Sequence, residues 1–386
     1  MVDYDKFRFK IYEMKSVIII SCFNWYEARL KSVKDIFEQK GYTVKCYISD
    51  FDHMNKETIS DRHVDCDYIK TLPYTRNLSL RRIISHFYFA KNIANILFDE
   101  KPDYIYALVP PNMVSFVCAK YKRKNKKCKL IFDILDLWPE TMTIGKGNIL
   151  YSIPFKFWKY LRNSSIIEAD HVFMECDLFR GKLMDIVGDK SSVLHLYKKS
   201  SGLSLTDLNS MDSISLCYLG SINNIIDIDL ITELVVRITK YKPVTLHLIG
   251  KGEKKSDFLN KLNFPRVKIC DYGCVYNIQD KFNIYSLCHF GINIMKSSVC
   301  VGLTMKSMDY FEAGLPLINN IPHDTYDIIE KYESGFNINS LNLDEIVYKV
   351  LTINLNDYQV MRMNTKLAYE AFFTKERFIE KVANNI

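Results

Sequence analysis

The chain has 386 residues, 48% of them hydrophobic and 25% charged, an ordinary balance for a soluble globular protein. At about 100–200 residues per domain, that length predicts two domains, each able to bury a sizeable core. The formal net charge of +7 is too mild to imply nucleic acid and fits anionic partners generally, either phosphates or an anionic membrane surface.

Eleven cysteines are scattered along the chain, several inside apolar runs such as Ile214–Leu219. That is the pattern of reduced, buried thiols, not of a disulfide framework. Cys270 and Cys274 are four apart, but no second Cys or His pair follows at zinc spacing, so no metal site is expected. No apolar stretch precedes Val17–Ser21, so no signal peptide is expected, and Met14 is a second candidate start. The longest apolar run, Tyr104–Ala119, is broken by Pro110-Pro111 and falls short of the ~20 residues of a spanning helix. The expectation is a cytoplasmic protein without a transmembrane segment, with contact at the inner face of the plasma membrane left open.

Strands and helices alternate in two series. The first opens with the apolar run Ser16–Ile20, followed by a helix over Glu27–Lys40, whose Leu30, Val33, Ile36 and Phe37 share one face and which Gly41 ends. A strand is predicted over Tyr42–Ile48. Then come a helix over about 78–98, a strand at Tyr104–Val109, a helix after Pro111, and strands at Lys129–Leu135 and His171–Met174. The polar stretch Ser200–Thr206 reads as a linker. The second series has strands at Ile214–Leu219, Val244–Ile249, Val267–Cys270, His289–Ile294 and Leu315–Asn319, with helices between them. From about Asp357 onward only helix is expected, with no sixth strand. Continuous apolar strands between amphipathic helices predict parallel sheets covered on both faces. The predicted units are residues 1–200, a linker at 201–212, a second domain at 213–360 and a C-terminal helix at 361–386 that returns to the first domain. In such sheets ligands bind at the carboxyl ends of the strands.

The strongest constellation is Val301–Pro316, which reads loop, helix, Gly stop, strand. Thr304 is placed to cap the helix and Gly314 to end it. A helix start above a parallel strand presents free N–H groups and a positive dipole end, which suits a phosphate. Lys306 in the first turn adds a full charge, and Asp309 can accept hydrogen bonds from the cis hydroxyls of a ribose. The competing reading is an amphipathic helix with solvated Lys306 and Asp309.

This run resembles the donor-binding signature of retaining GT-B glycosyltransferases of glycosyltransferase family 4, approximately Gly-Leu-Pro-x-Lys-x-x-Glu-Tyr-x-Ala-x-Gly-x-Pro-Val-Ile. Gly302, Leu303, Lys306, Tyr310, Gly314, Pro316 and Ile318 match it, with Leu317 in the Val position. The resemblance implies a fold of two Rossmann-like domains facing across a cleft. It also implies that Asp309 replaces the second Glu of the family's Glu-x7-Glu pair, which holds the ribose. The first Glu, which contacts donor sugar or phosphates, falls at Val301 and is absent, so the donor sugar is not legible here. Other donor-side matches are Gly220 and Ser221, the Gly250-Lys251-Gly252 turn, Tyr272 in the loop that borders the nucleobase, and Lys296 as a second phosphate partner.

On the acceptor side, Asp133–Glu140 looks like the Asp-Leu-Trp-Pro-Glu loop of family members that build bacterial surface and capsular polysaccharides. Asp136, then Glu140, are the candidates for the acceptor hydroxyl or leaving sugar, and both are expected to be exposed at the sheet edge. Trp138 either joins the acceptor site or packs back on the domain. After the first strand, Asn24, Trp25, Glu27 and Arg29 offer polar groups beside an aromatic plane, suited to a sugar ring, and Asn112 lies at the same edge. The basic run Lys120–Lys129 sits at the opposite edge, where it is a solvated loop or a contact for anionic lipid. Phe155–Arg162 is either an interfacial or a core helix. Asp65-Cys-Asp67 has the spacing of a metal-binding carboxylate pair but precedes an apparent strand, and is discounted.

The implied activity is transfer of a hexose-like sugar, with retention, from a nucleotide-diphosphate donor to a hydroxyl of a polyprenyl-linked or other glycan acceptor. Lysines and a helix terminus would stand in for a metal, and no cofactor is expected beyond the donor itself. Alternatives are a nucleotide-sugar epimerase on the same fold and a nucleotide-sugar-binding partner protein without turnover.

Overall fold

The computed structural model describes residues 15–60, 65–77, 79–142, 149–208 and 210–386, with only the backbone of 149–152. Met14 and the start of the second predicted helix at Leu78 lie outside them.

The N-terminal half forms one parallel sheet. Its strands are β1 (Ser16–Ser21), β2 (Thr43–Ser49), β5 (Asp67–Ile69), β6 (Tyr104–Val109), β7 (Lys129–Ile134), β8 (His171–Met174) and β9 (Ser191–Val193). They lie in the order β5-β2-β1-β6-β7-β8-β9. Between β2 and β5, β3 (Phe51–Asp52) and β4 (Glu57–Thr58) make a small antiparallel ribbon. In β1, Val17, Ile18, Ile19 and Ile20 are all buried. Both faces of the strand are covered, which is why its sequence is a continuous apolar run instead of an alternation. Helices Leu80–Glu100, Asn112–Lys124 and Ile149–Ile166 pack side by side over one face.

The second half repeats the plan. β10 (Ile214–Leu219), β11 (Val244–Ile249), β12 (Val267–Gly273), β13 (Phe290–Asn293), β14 (Leu317–Asn319) and β15 (Gly335–Asn337) lie in the order β12-β11-β10-β13-β14-β15, all parallel. The sixth strand corrects the sequence reading. Gly-Phe-Asn carries no apolar run, and its place is held by backbone. A Cβ on Gly335 would meet the Leu317 carbonyl oxygen at 2.1 Å. The short β9 went unread for the same lack of an apolar run.

The chain crosses between the halves twice, through 194–213 and again near Phe373. Helix Leu355–Phe372 lies on the second half, against helices Met305–Ala313 and Asp324–Tyr332. Helix Lys375–Ala383 returns to the first half, where Phe378 and Val382 are buried beside Leu30, Val33 and Phe37. Lys40 caps its end by donating to the carbonyls of Ala383 and Ile386 at 2.6 and 3.1 Å.

Candidate functional site in the interdomain cleft

On the C-terminal side the site is assembled by backbone packing. A Cβ on Gly250 would lie 2.0 Å from the Gly220 carbonyl oxygen, and one on Gly252 would lie 2.1 Å from that of Ile222. Gly220 N–H donates to the Ile249 carbonyl at 2.9 Å and Ile222 N–H to that of Lys251 at 3.0 Å. The Gly-x-Gly turn thus lets one strand-end loop lie against the next. Lys251 and Ser221 point to solvent.

Helix Met305–Ala313 begins with a complete capping box. The Thr304 hydroxyl accepts from Ser307 N–H at 3.1 Å, and the Ser307 hydroxyl accepts from Thr304 N–H at 3.3 Å. Thr304 in turn donates to Asn293 Oδ1 at 2.9 Å, tying the helix start to the end of β13. Gly314 ends the helix with φ +74°, as its position predicted. Beneath the helix, Tyr310 lies where a Cβ on Gly291 would be, and its hydroxyl donates to the Cys217 carbonyl at 3.1 Å.

Lys306 departs from expectation. It is only 8% exposed, with its ammonium 4.7 Å from the centre of the Tyr218 ring and no carboxylate partner among the described residues. Burial pushes its pKa down to about 7, so it is a half-populated cation and not the full charge expected from sequence. Asp309 is part-buried and engaged by Lys198 from the linker, with Lys281 at 3.9 Å. Lys296 is exposed on the loop after β13. Tyr272 stacks on His247 and bonds it at 2.9 Å.

On the N-terminal side several expected acceptor groups are already committed. Arg29 is buried in a two-pronged ion pair with Asp133, both contacts at 2.7 Å, and donates to the carbonyls of Leu194 and His195. Its guanidinium is a structural group and is not offered to a ligand. Asn112 is fully buried and donates to the carbonyls of Trp138 and Trp158 at 3.2 and 3.0 Å. Trp138 packs back on the domain, under Arg82 and beside His86. Its ring nitrogen donates to Asp136 at 2.6 Å, and Thr141 bonds the other oxygen of that carboxylate. Glu140 takes both prongs of the buried Arg162 at 2.7 and 2.9 Å, with Lys159 at 3.2 Å. Neither carboxylate is exposed as expected. Burial raises the Asp136 pKa against those hydrogen bonds. For Glu140 the cost of burial is outweighed by Arg162, which holds the carboxylate below its usual range. Trp25 keeps a free face: it is 40% exposed and stacks on Phe23 at 4.6 Å. Asn24 donates to Asp52 at 3.2 Å, and Glu27 opens helix Glu27–Gln39.

The carboxyl edges of the two sheets face each other. Asp324 of the second half accepts from Asp177 N–H at 2.8 Å and from His195 Nε2 at 2.8 Å. Gly302 lies so close to this contact that a Cβ there would meet Asp324 Oδ2 at 2.9 Å and Leu178 at 3.0 Å. A cavity of about 490 Å³ opens between Trp25, Tyr26, Glu175 and Tyr197 on one side and Leu303 and Met305 on the other.

No protein-family model and no curated protein matches the sequence. Solved structures do match in fold. A sucrose-phosphate synthase from Thermosynechococcus elongatus superposes with TM-score 0.68 at 10% identity, over 96% of this chain and 98% of that one. The lipopolysaccharide outer core galactosyltransferase WaaB gives 0.68 at 14%, over 96% and 98%. HepE of Anabaena, solved in complex with UDP, gives 0.65 at 13%, over 96% and 99%. The fold is GT-B. At such identities the likeness speaks for architecture alone.

Within the GT-B frame the cleft has contributors that no motif announced. His195 and Lys198 come from the crossing segment and Lys281 and Asp324 from helices Ile278–Tyr285 and Asp324–Tyr332, and they meet only through tertiary contact. Glu175 stands at the end of β8, one residue beyond an apolar strand. Only that strand-end placement could have drawn attention to it.

Proposed function

We propose that this GT-B protein is a glycosyltransferase of the family 4 type, using a nucleotide-diphosphate sugar as donor. The observation that carries the reading is Lys306. A buried ammonium with an aromatic face but no counter-ion among the described residues is costly unless an anion completes it. It stands in the first turn of a capped helix, where backbone N–H groups and the dipole also favour an anion. The diphosphate of the donor supplies that anion, and Asp309 receives the ribose once Lys198 shares its carboxylate. The solved relatives accord with this class: one bears the name galactosyltransferase and another holds UDP.

In the proposed reaction the anomeric C–O bond to the diphosphate breaks and a bond to the acceptor oxygen forms on the same face, with retention. The acceptor proton passes to the departing phosphate. Lys306 and the helix start stabilise the leaving charge, so no metal or cofactor is needed. The acceptor is a sugar hydroxyl on a lipid-linked oligosaccharide of bacterial surface polysaccharide synthesis, and the protein works at the inner membrane face. Support for the membrane comes from the three adjacent helices over the N-terminal sheet. Leu80, Ile84, Phe87, Phe116, Phe157 and Tyr160 are exposed on them, with Lys91, Lys120 and Lys156 exposed among them, a surface that suits an anionic bilayer. Within the basic run, Lys122 and Lys129 are instead spent on Asp170, and Arg123 on Glu168.

A thermal-shift screen against UDP, GDP, dTDP and their sugars tests the donor reading. One nucleotide is expected to stabilise the wild type, and Lys306→Ala to weaken its binding at least tenfold. Transfer from the matching sugar should persist in EDTA. Unchanged affinity in both Lys306→Ala and Asp309→Ala removes the donor site. Flotation on vesicles with and without phosphatidylglycerol tests the membrane surface: binding should need the anionic lipid and fall in Phe87→Ser/Phe157→Ser.

A further inference from the structure

Glu175 is a carboxyl with no assigned partner in the middle of the cleft. Its backbone N–H is fixed to the Ile134 carbonyl at 3.0 Å. Its side chain makes no hydrogen bond or ion pair among the described residues. It lines the cavity of about 490 Å³, and it is the one carboxyl among the described residues of that wall. The other charged group there, Arg29, is spent on Asp133 and two carbonyls, and the Tyr197 hydroxyl is bonded to the Ala28 carbonyl and Ser32. What remains is one unused carboxyl facing the aromatic walls of Trp25 and Tyr26 and the start of the donor-loop helix. Apolar and aromatic walls with a few convergent polar groups are the usual make-up of a small-molecule site.

We propose that Glu175 binds a ring hydroxyl of the sugar in this cleft and so selects which sugar enters. The proposal rests on the glycosyltransferase reading but names a residue that reading does not use.

The chemistry follows from the surroundings. Burial pushes the carboxyl up to about 8, Arg29 on helix Glu27–Gln39 pulls it down, and Asp136, Asp133 and Asp324 push it up further. Tyr26, just before that helix, also lines the cavity, and its own ionisation is driven out of range by burial. At neutral pH Glu175 is therefore a neutral acid. It donates through its O–H and accepts through its carbonyl oxygen, which matches two neighbouring hydroxyls of a pyranose. Ionisation above pH 8 removes the donor half and places an unpaired charge in a buried wall. A site built around such a pair discriminates strongly against a sugar that cannot satisfy it.

The test compares wild type, Glu175→Gln and Glu175→Ala by calorimetry. The probes are UDP, GDP and dTDP, each beside its glucose, galactose, mannose or N-acetylglucosamine conjugate. The readout is the ratio of nucleotide-sugar to bare-nucleotide affinity. For the preferred donor this ratio should fall at least tenfold in Glu175→Ala, with bare-nucleotide affinity unchanged. In the wild type it should fall as pH rises through 8, whereas Glu175→Gln, whose amide donates and accepts at every pH, should hold it constant. If instead the ratio is untouched but the acceptor KM rises in Glu175→Ala and follows the same pH pattern, the bound hydroxyl is the acceptor's. Unchanged ratio and unchanged acceptor KM in Glu175→Ala overturn the proposal while leaving the donor site standing. Failure of the wild type to bind any nucleotide overturns the glycosyltransferase reading, and the role of Glu175 falls with it.

Discussion

At the scale of single residues, burial decides what a charged side chain can do. Arg29 and Lys306 are both basic groups, yet among the described residues one has a carboxylate and the other has none. Arg29 with Asp133 is a closed unit, 3% and 0% exposed, that also engages the Tyr106 hydroxyl at 2.7 Å. Arg29→Ala strands a buried carboxylate and should cost about 3–5 kcal/mol in denaturant titration, with nucleotide affinity unchanged in the folded fraction. Lys306 behaves oppositely. Its folded pKa of about 7 lies below its ordinary 10.5, so between those values the unfolded chain holds more protons and stability rises with pH. A bound phosphate reverses the shift. Nucleotide binding at pH 8 should therefore take up close to one proton, seen as a buffer-dependent heat, and affinity should fall as pH rises above 7. A binding heat independent of buffer would exclude Lys306 from the phosphate site.

At the scale of elements, much was legible. β1 and β6 are covered on both faces, and that burial is written into their sequences as the unbroken apolar runs Val17–Ile20 and Tyr104–Val109, whereas β7, β10 and β11 are largely apolar with polar residues at Asp133, Ser215, Thr245 and His247. The helix Met305–Ala313 announced its start through Thr304 and its end through Gly314, because caps are local chemistry that neighbouring residues suffice to determine. The glycines were legible as turns but not in purpose. Gly250 serves the approach of its loop to Gly220, a contact between segments 30 residues apart in sequence numbering. Gly250→Ala forces those backbones apart and should destabilise the second half by about 1–3 kcal/mol, the usual range for overpacking, together with weaker nucleotide binding. Thermal unfolding identical to wild type would show that the loops can separate freely. Short strands such as Gly335–Asn337 stayed hidden because backbone pairing, not side-chain pattern, holds them.

At the scale of the whole molecule, a shared apolar cluster and specific polar contacts join the two halves. Asp324 reaches from the second half to the N–H groups of Asp177 and Leu178 and to His195. Burial raises its pKa, but the His195 hydrogen bond and charge outweigh that and hold it below the ordinary value. A depressed carboxylate contributes stability above its unfolded pKa and loses it as pH falls through the folded one. The interdomain contact should therefore loosen in acid, below pH 4. Asp324→Asn should open the cleft at neutral pH, read as a larger radius of gyration in small-angle scattering, with each half still folded. An unchanged radius would mean that the helix crossing at Phe373 alone sets the closure.

The sequence by itself determined the α/β alternation, the approximate ends of the longer strands and the capped helix that forms the candidate donor site. All of these depend on residues close together in the chain, through apolar periodicity and capping. Tertiary structure decided the rest. It withdrew Arg29, Asn112 and Trp138 from the acceptor site, because buried polar groups must find partners and theirs lay at hand. It gave Asp136 and Glu140 hydrogen-bonded and ionic partners that no local pattern foretold. Among the described residues it left Lys306 and Glu175 without such partners, Glu175 in the wall of a cleft that only the meeting of two distant sheet edges creates.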